Sequence, residues 1–187
     1  MNTLFPIEYA FPPGFFYQED FISVEEEKEL LAIVKNIEVK NMQFQGYEAK
    51  RKTASFGFDW SFEKRVLSKG KDIPPAFNNL IEKVSAHFKL NDDIGELLVT
   101  EYPPKSVINW HRDAPPFDII IGISLLSDCT FKLRPYDKAK QNRKSTISFP
   151  VLRRSLYVMS GEARSEWEHS IAPVKQTRYS ITLRTLK

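Results

Sequence analysis

The spacing of apolar residues changes once along this chain, near Glu96, and that change limits what the chain can fold into. Before it, apolar residues recur at helical spacing, whereas after it they tend to alternate, as in β-strands. Pro, Gly, Asp and Ser divide this second part into predicted strands at residues 96–102, 106–111, 118–126, 129–134, 145–149, 154–159, 165–171 and 178–185. We therefore predict an α+β, mainly β protein with a jelly-roll core, although strand number alone fits a generic α+β sandwich equally well.

Two helices are predicted before these strands. Ser23 begins the first helix, because a serine followed three residues later by Glu26 has the spacing of a capping box. We expect this helix to end near Asn36. Pro74 starts the second helix, since proline is tolerated in the first turn. His87 is expected on the exposed surface of that second helix.

Composition limits the class of protein. The 187 residues are most simply one domain, and 42% apolar with 27% charged residues is ordinary for a globular protein. No apolar run reaches the roughly 18 residues of a membrane span, and the N-terminus lacks the pattern of a secretory signal. The single cysteine, Cys129, cannot form an internal disulfide. We expect a cytoplasmic monomer that has no membrane partner and in which Cys129 is a buried, inert thiol.

Two of the three histidines form a metal-binding pattern with an aspartate. His111 and Asp113 are two residues apart on an extended segment, so both side chains point to one face. His169 lies in a different predicted strand, as a jelly roll that closes around an ion requires. A His-x-Asp pair with a distant His is the facial triad that holds non-haem Fe(II) and leaves coordination positions open. The same three ligands could instead hold zinc.

Two arginines on the last predicted strand extend this pattern. Arg178 and Arg184 are separated by six positions (184 − 178), which places both on one face of a strand. A guanidinium binds a carboxylate through two parallel hydrogen bonds, so the pair could bind a dicarboxylate. Ordinary ion pairs would explain isolated arginines equally well. A metal, an acidic co-substrate and a β-rich chain together favour an oxygenase.

Basic residues concentrate in two segments, although the net charge is only +3. Lys50-Arg51-Lys52 precedes the aromatic residues Phe56, Phe58, Trp60 and Phe62. The second segment contains Lys132, Arg134, Lys138, Lys140, Arg143, Lys144, Arg153 and Arg154, with Asp137 as its one acid. Basic patches with interleaved aromatics suit phosphate contacts and base stacking. A solvated hairpin with a lysine-protected edge explains the same pattern, and both interpretations stay open.

The order of these motifs resembles the AlkB family of Fe(II)- and 2-oxoglutarate-dependent dioxygenases over residues 40–187. The likeness includes Tyr102 before the His-x-Asp pair, Ile123-Ser124-Leu125, the Gly161 turn before Arg164, and a closing Arg-x5-Arg from Arg178 to Arg184. The resemblance implies a double-stranded β-helix core with two flanking N-terminal helices. It implies a single domain, 1–187, with an N-terminal arm and helix (1–39), a substrate lid (40–73), and the second helix and jelly-roll core (74–187).

The resemblance also implies a cofactor, a co-substrate and their ligands. Fe(II) would be bound by His111, Asp113 and His169, and molecular oxygen would be a reactant. Arg178 would pair with the distal carboxylate of 2-oxoglutarate, and Arg184 would lie by the carboxylate that chelates the metal. The other co-substrate residues implied are Tyr102, Ser180 and Thr100. Thr100 stands where many nucleic-acid repair members have Asn, and its hydroxyl can still form a hydrogen bond.

The substrate implied is a nucleic acid, DNA or RNA, with an alkylated base. The implied reaction decarboxylates 2-oxoglutarate oxidatively and hydroxylates an N-methyl group, whose product collapses to formaldehyde and the repaired base. The substrate residues would be Arg51, Phe58, Trp60, His111 and Asp118.

The chain departs from the family pattern after the metal-binding aspartate. Repair members usually have further acids there, whereas this chain has Ala114-Pro115-Pro116, and Asp118 is the nearest acid. The departure leaves room for a modified RNA base, or for a protein or small-molecule substrate of an oxygenase with the same fold. A zinc hydrolase or a non-catalytic binding module is a third class, but it leaves the arginine pair unexplained.

Overall fold

The computed structural model describes residues 9–44, 47–61, 63–90 and 93–187, with the side chains of 42–44 and 47 excepted. Residues 1–8 of the predicted arm and Phe62 of the aromatic run lie outside the described residues. The helices are α1 (Val24–Lys35), α2 (Asn78–Phe88) and the short α3 (Gly161–Ser165). No helix among the described residues is long and apolar enough to cross a membrane.

The strands cover most of the remaining chain. They are β1 (Phe15–Gln18), β2 (Lys40–Phe44), β3 (Tyr47–Ser61), β4 (Val66–Lys69), β5 (Ile94–Tyr102), β6 (Ile108–His111), β7 (Phe117–Leu125), β8 (Cys129–Pro135), β9 (Ile147–Val151), β10 (Leu156–Met159), β11 (Trp167–Ile171) and β12 (Arg178–Leu186). Each of the eight strands predicted after Glu96 overlaps one of β5 to β12.

Two antiparallel sheets form the core of the fold. The major sheet has the order β1-β10-β7-β12-β5-β3-β2, with β4 paired to β3, and the minor sheet has the order β6-β11-β8-β9. Strands β5 to β12 are shared equally between the two sheets, and the chain crosses from one sheet to the other repeatedly. This arrangement is the double-stranded β-helix, so the predicted fold class is confirmed.

The two long helices cover the outer face of the major sheet. The capping box predicted at Ser23 is present, because its hydroxyl accepts from the Glu26 amide and the Glu26 carboxylate accepts from the Ser23 amide. Leu30 and Val34 of α1 and Val84 of α2 pack in one buried cluster with the outer face of the sheet. His87 is exposed on α2, as expected, with its ring 5.3 Å edge-on to that of Phe21.

Strand β12 has two chemically different faces because side chains alternate along a strand. Tyr179, Ile181 and Leu183 face the helices and belong to the buried cluster beneath them. The other face carries Arg178, Ser180, Thr182 and Arg184, which point between the two sheets. A second apolar cluster, including Phe131, Leu133 and Phe149, fills much of the space there. The polar face of β12 thus closes one side of a partly apolar interior.

Residues 40–73 contain more regular structure than the short extended pieces expected of a lid. Within β3, residues Lys52 to Gly57 pair with β5, and Phe58 to Ser61 pair with β4. The strand changes partner at Gly57, whose φ of 84° is unfavourable for other residues. A Cβ there would lie 2.3 Å from the Gly95 carbonyl oxygen, so the close approach of β3 to β5 requires glycine. The segment beyond Gly57 therefore forms a separate hairpin beside the interior.

Candidate metal centre and the cavity around it

His111, Asp113 and His169 meet between the two sheets. The cross-strand register pairs His111 at the end of β6 with His169 on β11, and the centroids of their rings are 4.2 Å apart. One ligand atom from each of the three side chains lies within 4.8 Å of the others. Two imidazole nitrogens and one carboxylate on one side of an ion form a facial triad. The geometry therefore brings together the three residues that the sequence pattern selected.

Hydrogen bonding and burial favour the neutral imidazoles that metal binding needs. The Nδ1 of His111 lies 2.8 Å from the Asn109 carbonyl oxygen. Because a carbonyl only accepts, Nδ1 carries the proton and Nε2 keeps its lone pair. Burial, with a smaller contribution from the neighbouring His111, lowers the pKa of His169 to about 3. Burial also lowers the pKa of His111.

The carboxylate of the cluster is paired with a buried cation. Arg184 Nη2 donates to Asp113 Oδ1 at 2.6 Å, and its Nη1 donates to Glu96 on the neighbouring strand β5. Burial alone would raise the pKa of Asp113. The charges of Arg184 and the two histidines outweigh this effect, so the pKa of Asp113 lies below its ordinary value. Arg184 therefore fixes one oxygen of the carboxylate, and the other oxygen lies 3.6 Å from His169 Nε2. Arg184 lines the same cavity, and its expected place beside the carboxylate that chelates the metal stays a prediction.

A second buried arginine supports the segment after Asp113. Arg164 Nη2 donates to the carbonyl oxygens of Asp113 at 3.2 Å, Ala114 at 2.7 Å and Phe117 at 3.1 Å. One guanidinium thus satisfies three carbonyls of a turn that contains two prolines. The sequence pointed to Arg164 only through the family likeness. The support it gives to the Asp113 backbone is a finding of the structure.

Arg178 lies between the sheets at 1% exposure. Its Nε donates to Ser124 Oγ at 3.0 Å, and its guanidinium carbon lies 4.8 Å from the centre of the Tyr102 ring. Its Nη1 is buried without a hydrogen-bond partner among the described residues. Ser180 Oγ lies 3.5 Å from the Tyr102 hydroxyl. A buried guanidinium with an unused donor is costly unless an anion is bound there, so Arg178 fits a site for a carboxylate.

A cavity of about 850 Å³ contains the His-Asp-His cluster. Thr100, Tyr102 and Arg184 line it, and so do Arg51 and Trp60 of β3. Four other expected residues are not among the described residues that line the cavity, and they are Arg178 and Ser180 of the expected co-substrate site and Phe58 and Asp118 of the expected substrate site. Phe58 pairs with Lys69 in the β3–β4 hairpin. Asp118 is exposed at the start of β7.

The predicted basic segment does not form one surface. Arg153 pairs with the buried Glu27 of α1, and Arg154 pairs with Asp20 at 2.6 Å. Arg134 pairs with Glu168 and lies 4.2 Å from the centre of the Trp110 ring. The four remaining cations between β8 and β9 are exposed, and they are Lys138, Lys140, Arg143 and Lys144. These four residues are called the basic loop below.

An arginine–aromatic pair lies between the basic loop and the cavity. Arg112 lines the cavity, and its guanidinium carbon lies 3.6 Å from the centre of the Tyr136 ring. Arg112 also donates to the Ser165 carbonyl oxygen at 2.8 Å, so its position is fixed from two sides. Tyr136 is 50% exposed. Sequence reasoning did not select this pair, although Arg112 stands inside the His-x-Asp motif.

The residues of the cavity fit a metal ion, and Arg178, packed behind the Tyr102 ring that lines the cavity, fits an acidic co-substrate. The three ligand atoms suit Fe(II) or zinc, but the buried Arg178 with an unused donor calls for a carboxylate ligand as well. The fold and the cluster therefore define a metal-dependent protein of the double-stranded β-helix class. Residues 16–184 match the sequence model of the 2OG-Fe(II) oxygenase superfamily. The chain belongs to this superfamily, whose cofactor and co-substrate are Fe(II) and 2-oxoglutarate.

The chain is also similar in sequence to AlkB homologues. It is 32% identical over 173 residues to the Mus musculus tRNA (carboxymethyluridine(34)-5-O)-methyltransferase ALKBH8, an alignment of 89% of this chain and 25% of that protein. It is 27% identical over 181 residues to the Arabidopsis thaliana Alkylated DNA repair protein ALKBH8 homolog, which covers 85% of this chain and 51% of that protein. The chain therefore spans about a quarter to a half of the length of these relatives.

A solved structure supports the fold independently. OsALKBH1 superposes with a TM-score of 0.72, covering 96% of this chain and 100% of that chain at 13% sequence identity. At this identity the likeness shows the fold alone.

Proposed function

We propose that this protein is an Fe(II)/2-oxoglutarate-dependent dioxygenase that oxidatively removes N-alkyl groups from nucleic-acid bases. His111, Asp113 and His169 would hold the metal. Arg178, with the Tyr102 and Ser180 hydroxyls near it, would bind the distal carboxylate of 2-oxoglutarate. The observation that carries the proposal is the buried Arg178, because its Nη1 has no hydrogen-bond partner among the described residues and its guanidinium packs on Tyr102, which lines the cavity that holds the metal ligands.

The protein's own residues would position the reactants. Arg184 holds one oxygen of Asp113, which leaves the other oxygen facing His169 and the metal position. Arg164 fixes the backbone of Asp113 and of the turn that follows it through three carbonyl contacts, so this ligand is ordered before any ion binds. Burial among Phe131 and other apolar side chains limits the entry of water, which would otherwise compete for the open coordination positions.

The atoms and electrons of the proposed demethylation balance when 2-oxoglutarate is the co-substrate. When bound, Fe(II) would activate O2, 2-oxoglutarate would supply two of the four electrons that reduce O2, and the hydroxylated N-methyl group would supply the other two. One oxygen atom goes into succinate and the other into a hydroxymethyl group on the base nitrogen. Carbon dioxide leaves from the co-substrate, and the hydroxymethyl group breaks its C–N bond to give formaldehyde and the unmodified base.

A nucleic-acid substrate is supported by the cavity and by the relatives. Trp60 and Arg51 line the cavity beside His111, so an extruded base could stack on an aromatic while a cation meets phosphate. Arg112, which also lines the cavity, packs on Tyr136, and Tyr136 precedes the basic loop by two residues, so the loop could contact phosphates beyond the cavity. The names of the two relatives concern tRNA and alkylated DNA. We extend that class of substrate, DNA or RNA, to this chain.

An oxygenase of the same fold that acts on a protein or small molecule is the alternative. It would use the same metal and co-substrate residues but not the basic loop. Ala114-Pro115-Pro116 offers no acid to read a base edge, which keeps this alternative open. The cytoplasmic location, the monomeric state and the single-domain boundaries expected from the sequence stay predictions.

Succinate release tests the proposal and separates the alternatives. The purified protein with Fe(II), ascorbate and 2-oxoglutarate is given methylated DNA, methylated RNA, matched unmethylated strands, or no strand. We expect succinate above the no-strand level only with a methylated strand. Succinate that no nucleic acid stimulates would support an oxygenase of another substrate, and no succinate under any condition would reject the oxygenase.

A further inference from the structure

We propose that the Tyr157 ring, packed on Gly122, forms a wall of the co-substrate space and limits the length of the 2-oxo diacid that this protein accepts. The inference rests on the proposed role of Arg178 as the partner of the distal carboxylate. It does not depend on the nucleic-acid substrate. No motif or family likeness in the sequence selected either Tyr157 or Gly122.

The ring of Tyr157 lies flat against the inner face of the major sheet. Tyr157 on β10 is the direct cross-strand partner of Gly122 on β7, and Gly122 is in turn the partner of Thr182 on β12. A Cβ on Gly122 would lie 2.2 Å from Cζ of Tyr157 and 2.5 Å from its hydroxyl oxygen. The ring therefore occupies the space that any larger residue at position 122 would fill.

The opposite sheet holds the ring from the other side. The Phe131 ring centroid lies 4.9 Å from that of Tyr157 and 5.4 Å from the His169 ring, on which Phe131 stacks. Tyr157 is 7% exposed, and it lines the same cavity as His111 and Asp113. A continuous row of ring contacts, stacked between His169 and Phe131 and tilted between Phe131 and Tyr157, thus runs from a metal ligand to the inner face of the major sheet.

Tyr157 lines the cavity and also lies near Arg178, which is not among its lining residues. Its hydroxyl interacts electrostatically with Tyr102 and Arg178 as well as with Asp113. Burial raises the pKa of Tyr157 above its ordinary value, so the hydroxyl stays protonated and can donate to a carboxylate. A diacid that spans from the metal ligands to Arg178 would therefore lie along this ring, and the ring restricts how much chain fits between the two ends.

The proposal makes a size prediction for the unaltered protein. With Mn(II) as a redox-inert metal, calorimetry would give dissociation constants for 2-oxoglutarate and for 2-oxoadipate, which is longer by one methylene. We expect 2-oxoadipate to bind at least about 10-fold more weakly, since one methylene in a closed pocket changes selectivity by roughly 10- to 200-fold. Equal affinities would overturn the proposal without any mutation.

Two variants move the wall in opposite directions. Tyr157→Leu removes the ring, and we expect the preference for 2-oxoglutarate over 2-oxoadipate to fall about 10-fold. Gly122→Ala pushes the ring into the cavity. We expect this variant to bind 2-oxoglutarate more weakly, and to lose less affinity for oxaloacetate, which is shorter. Tyr157→Phe keeps the ring and should keep the length preference.

The outcomes separate this inference from the proposed function. If the unaltered protein binds 2-oxoglutarate and Arg178→Ala loses it, but the preference is the same in both wall variants, only the role of Tyr157 fails. If one of the two variants, Tyr157→Leu or Gly122→Ala, does not fold, the length preference of the other variant tests the role of Tyr157. If neither variant folds, the ratio of the dissociation constants of the unaltered protein for 2-oxoadipate and 2-oxoglutarate is the test, and equal values overturn the inference. If the unaltered protein binds no 2-oxo diacid, the proposed function and this inference both fail.

Discussion

Arg184 and Asp113 form a largely buried ion pair of 2.6 Å inside the His-Asp-His cluster. The pair joins the end of the major sheet to the loop that follows β6 of the minor sheet. Glu96 on β5 accepts from the other side of the same guanidinium. A charged pair is costly to bury unless further hydrogen bonds compensate, and here two carboxylates share one cation. The candidate metal site is therefore built from both sheets and ordered by contacts that lie outside the three ligands.

The three proposed ligands should be individually required for metal binding. We expect His111→Ala, Asp113→Ala and His169→Ala each to abolish turnover and to lose tight binding of Mn(II), because each removes one of three protein ligands from an open site. His87→Ala is the matched control, since His87 is exposed on α2, and it should bind metal normally. Near-normal Mn(II) affinity and turnover in the His169 variant would reject this ligand set.

Arg178 should control affinity for the co-substrate. We expect Arg178→Ala to raise the dissociation constant for 2-oxoglutarate by tens- to thousands-fold, since removing one side of a buried charged pair typically costs about 2–5 kcal/mol. Titration of the Mn(II)-loaded protein measures this directly. Arg143→Ala removes an equal charge from the exposed basic loop and should leave the affinity unchanged. An unaltered affinity in the Arg178 variant would count against its proposed role.

Alanine substitutions of Trp60 and Phe58 should differ in their effect on activity, although both residues were predicted from the sequence to contact the substrate. Trp60 lines the cavity and Phe58 does not, so we expect Trp60→Ala to weaken action on methylated oligonucleotides by about 1–3 kcal/mol, the usual value of one base stack. Phe58→Ala should have a smaller effect. The readout is kcat/KM for the oligonucleotide, with decarboxylation of 2-oxoglutarate in its absence as the reference. Equal effects of the two changes would show that cavity lining does not identify the stacking residue.

The basic loop should contribute to nucleic-acid affinity through phosphates. We expect Arg143→Glu with Lys144→Glu to weaken oligonucleotide binding and to flatten its dependence on salt, because fewer counterions would be released. The matched control reverses two exposed lysines of α1, Lys28→Glu with Lys35→Glu, on the far side of the major sheet. Fluorescence anisotropy across a salt series measures both slopes. The same loss in the two double variants would indicate a general effect of net charge.

Acid should destabilise the metal-free protein through His169. Its pKa is about 3 in the folded state, against an ordinary value of 6.5. Between these values the unfolded chain binds a proton that the folded chain does not, so stability falls as pH decreases from about 6.5 towards 3. Urea unfolding in a chelator at several pH values measures this slope, and His169→Gln should make it shallower. The same slope in the variant would assign the acid sensitivity to other groups.

Local patterns predicted much of the fold and the cluster of candidate ligands. Alternation located the strands because a strand with one buried face repeats every two residues, and the capping box fixed the start of α1. The spacing of His111 and Asp113 placed them on one face of an extended segment, and their register with His169 followed from the closing of the minor sheet.

Pairings between distant residues could not be predicted in this way. Arg153 and Arg154 belonged to a predicted basic segment, yet they pair with Glu27 and Asp20, which are 126 and 134 positions away. Charge counting along the chain cannot separate the cations held in such long-range ion pairs from the cations of the basic loop. The Arg184–Asp113 pair and the packing of Tyr157 on Gly122 likewise depend on how strands from separate parts of the chain align.

The central claim is that this chain removes an alkyl group from a base in DNA or RNA. Mass spectrometry of a singly N-methylated oligonucleotide, before and after incubation with Fe(II) and 2-oxoglutarate, tests it most directly. We expect the strand to lose the mass of one CH2 group, with one formaldehyde and at least one succinate per strand converted, and no loss with His169→Ala. Succinate formed while methylated DNA and methylated RNA both keep their mass would contradict the claim.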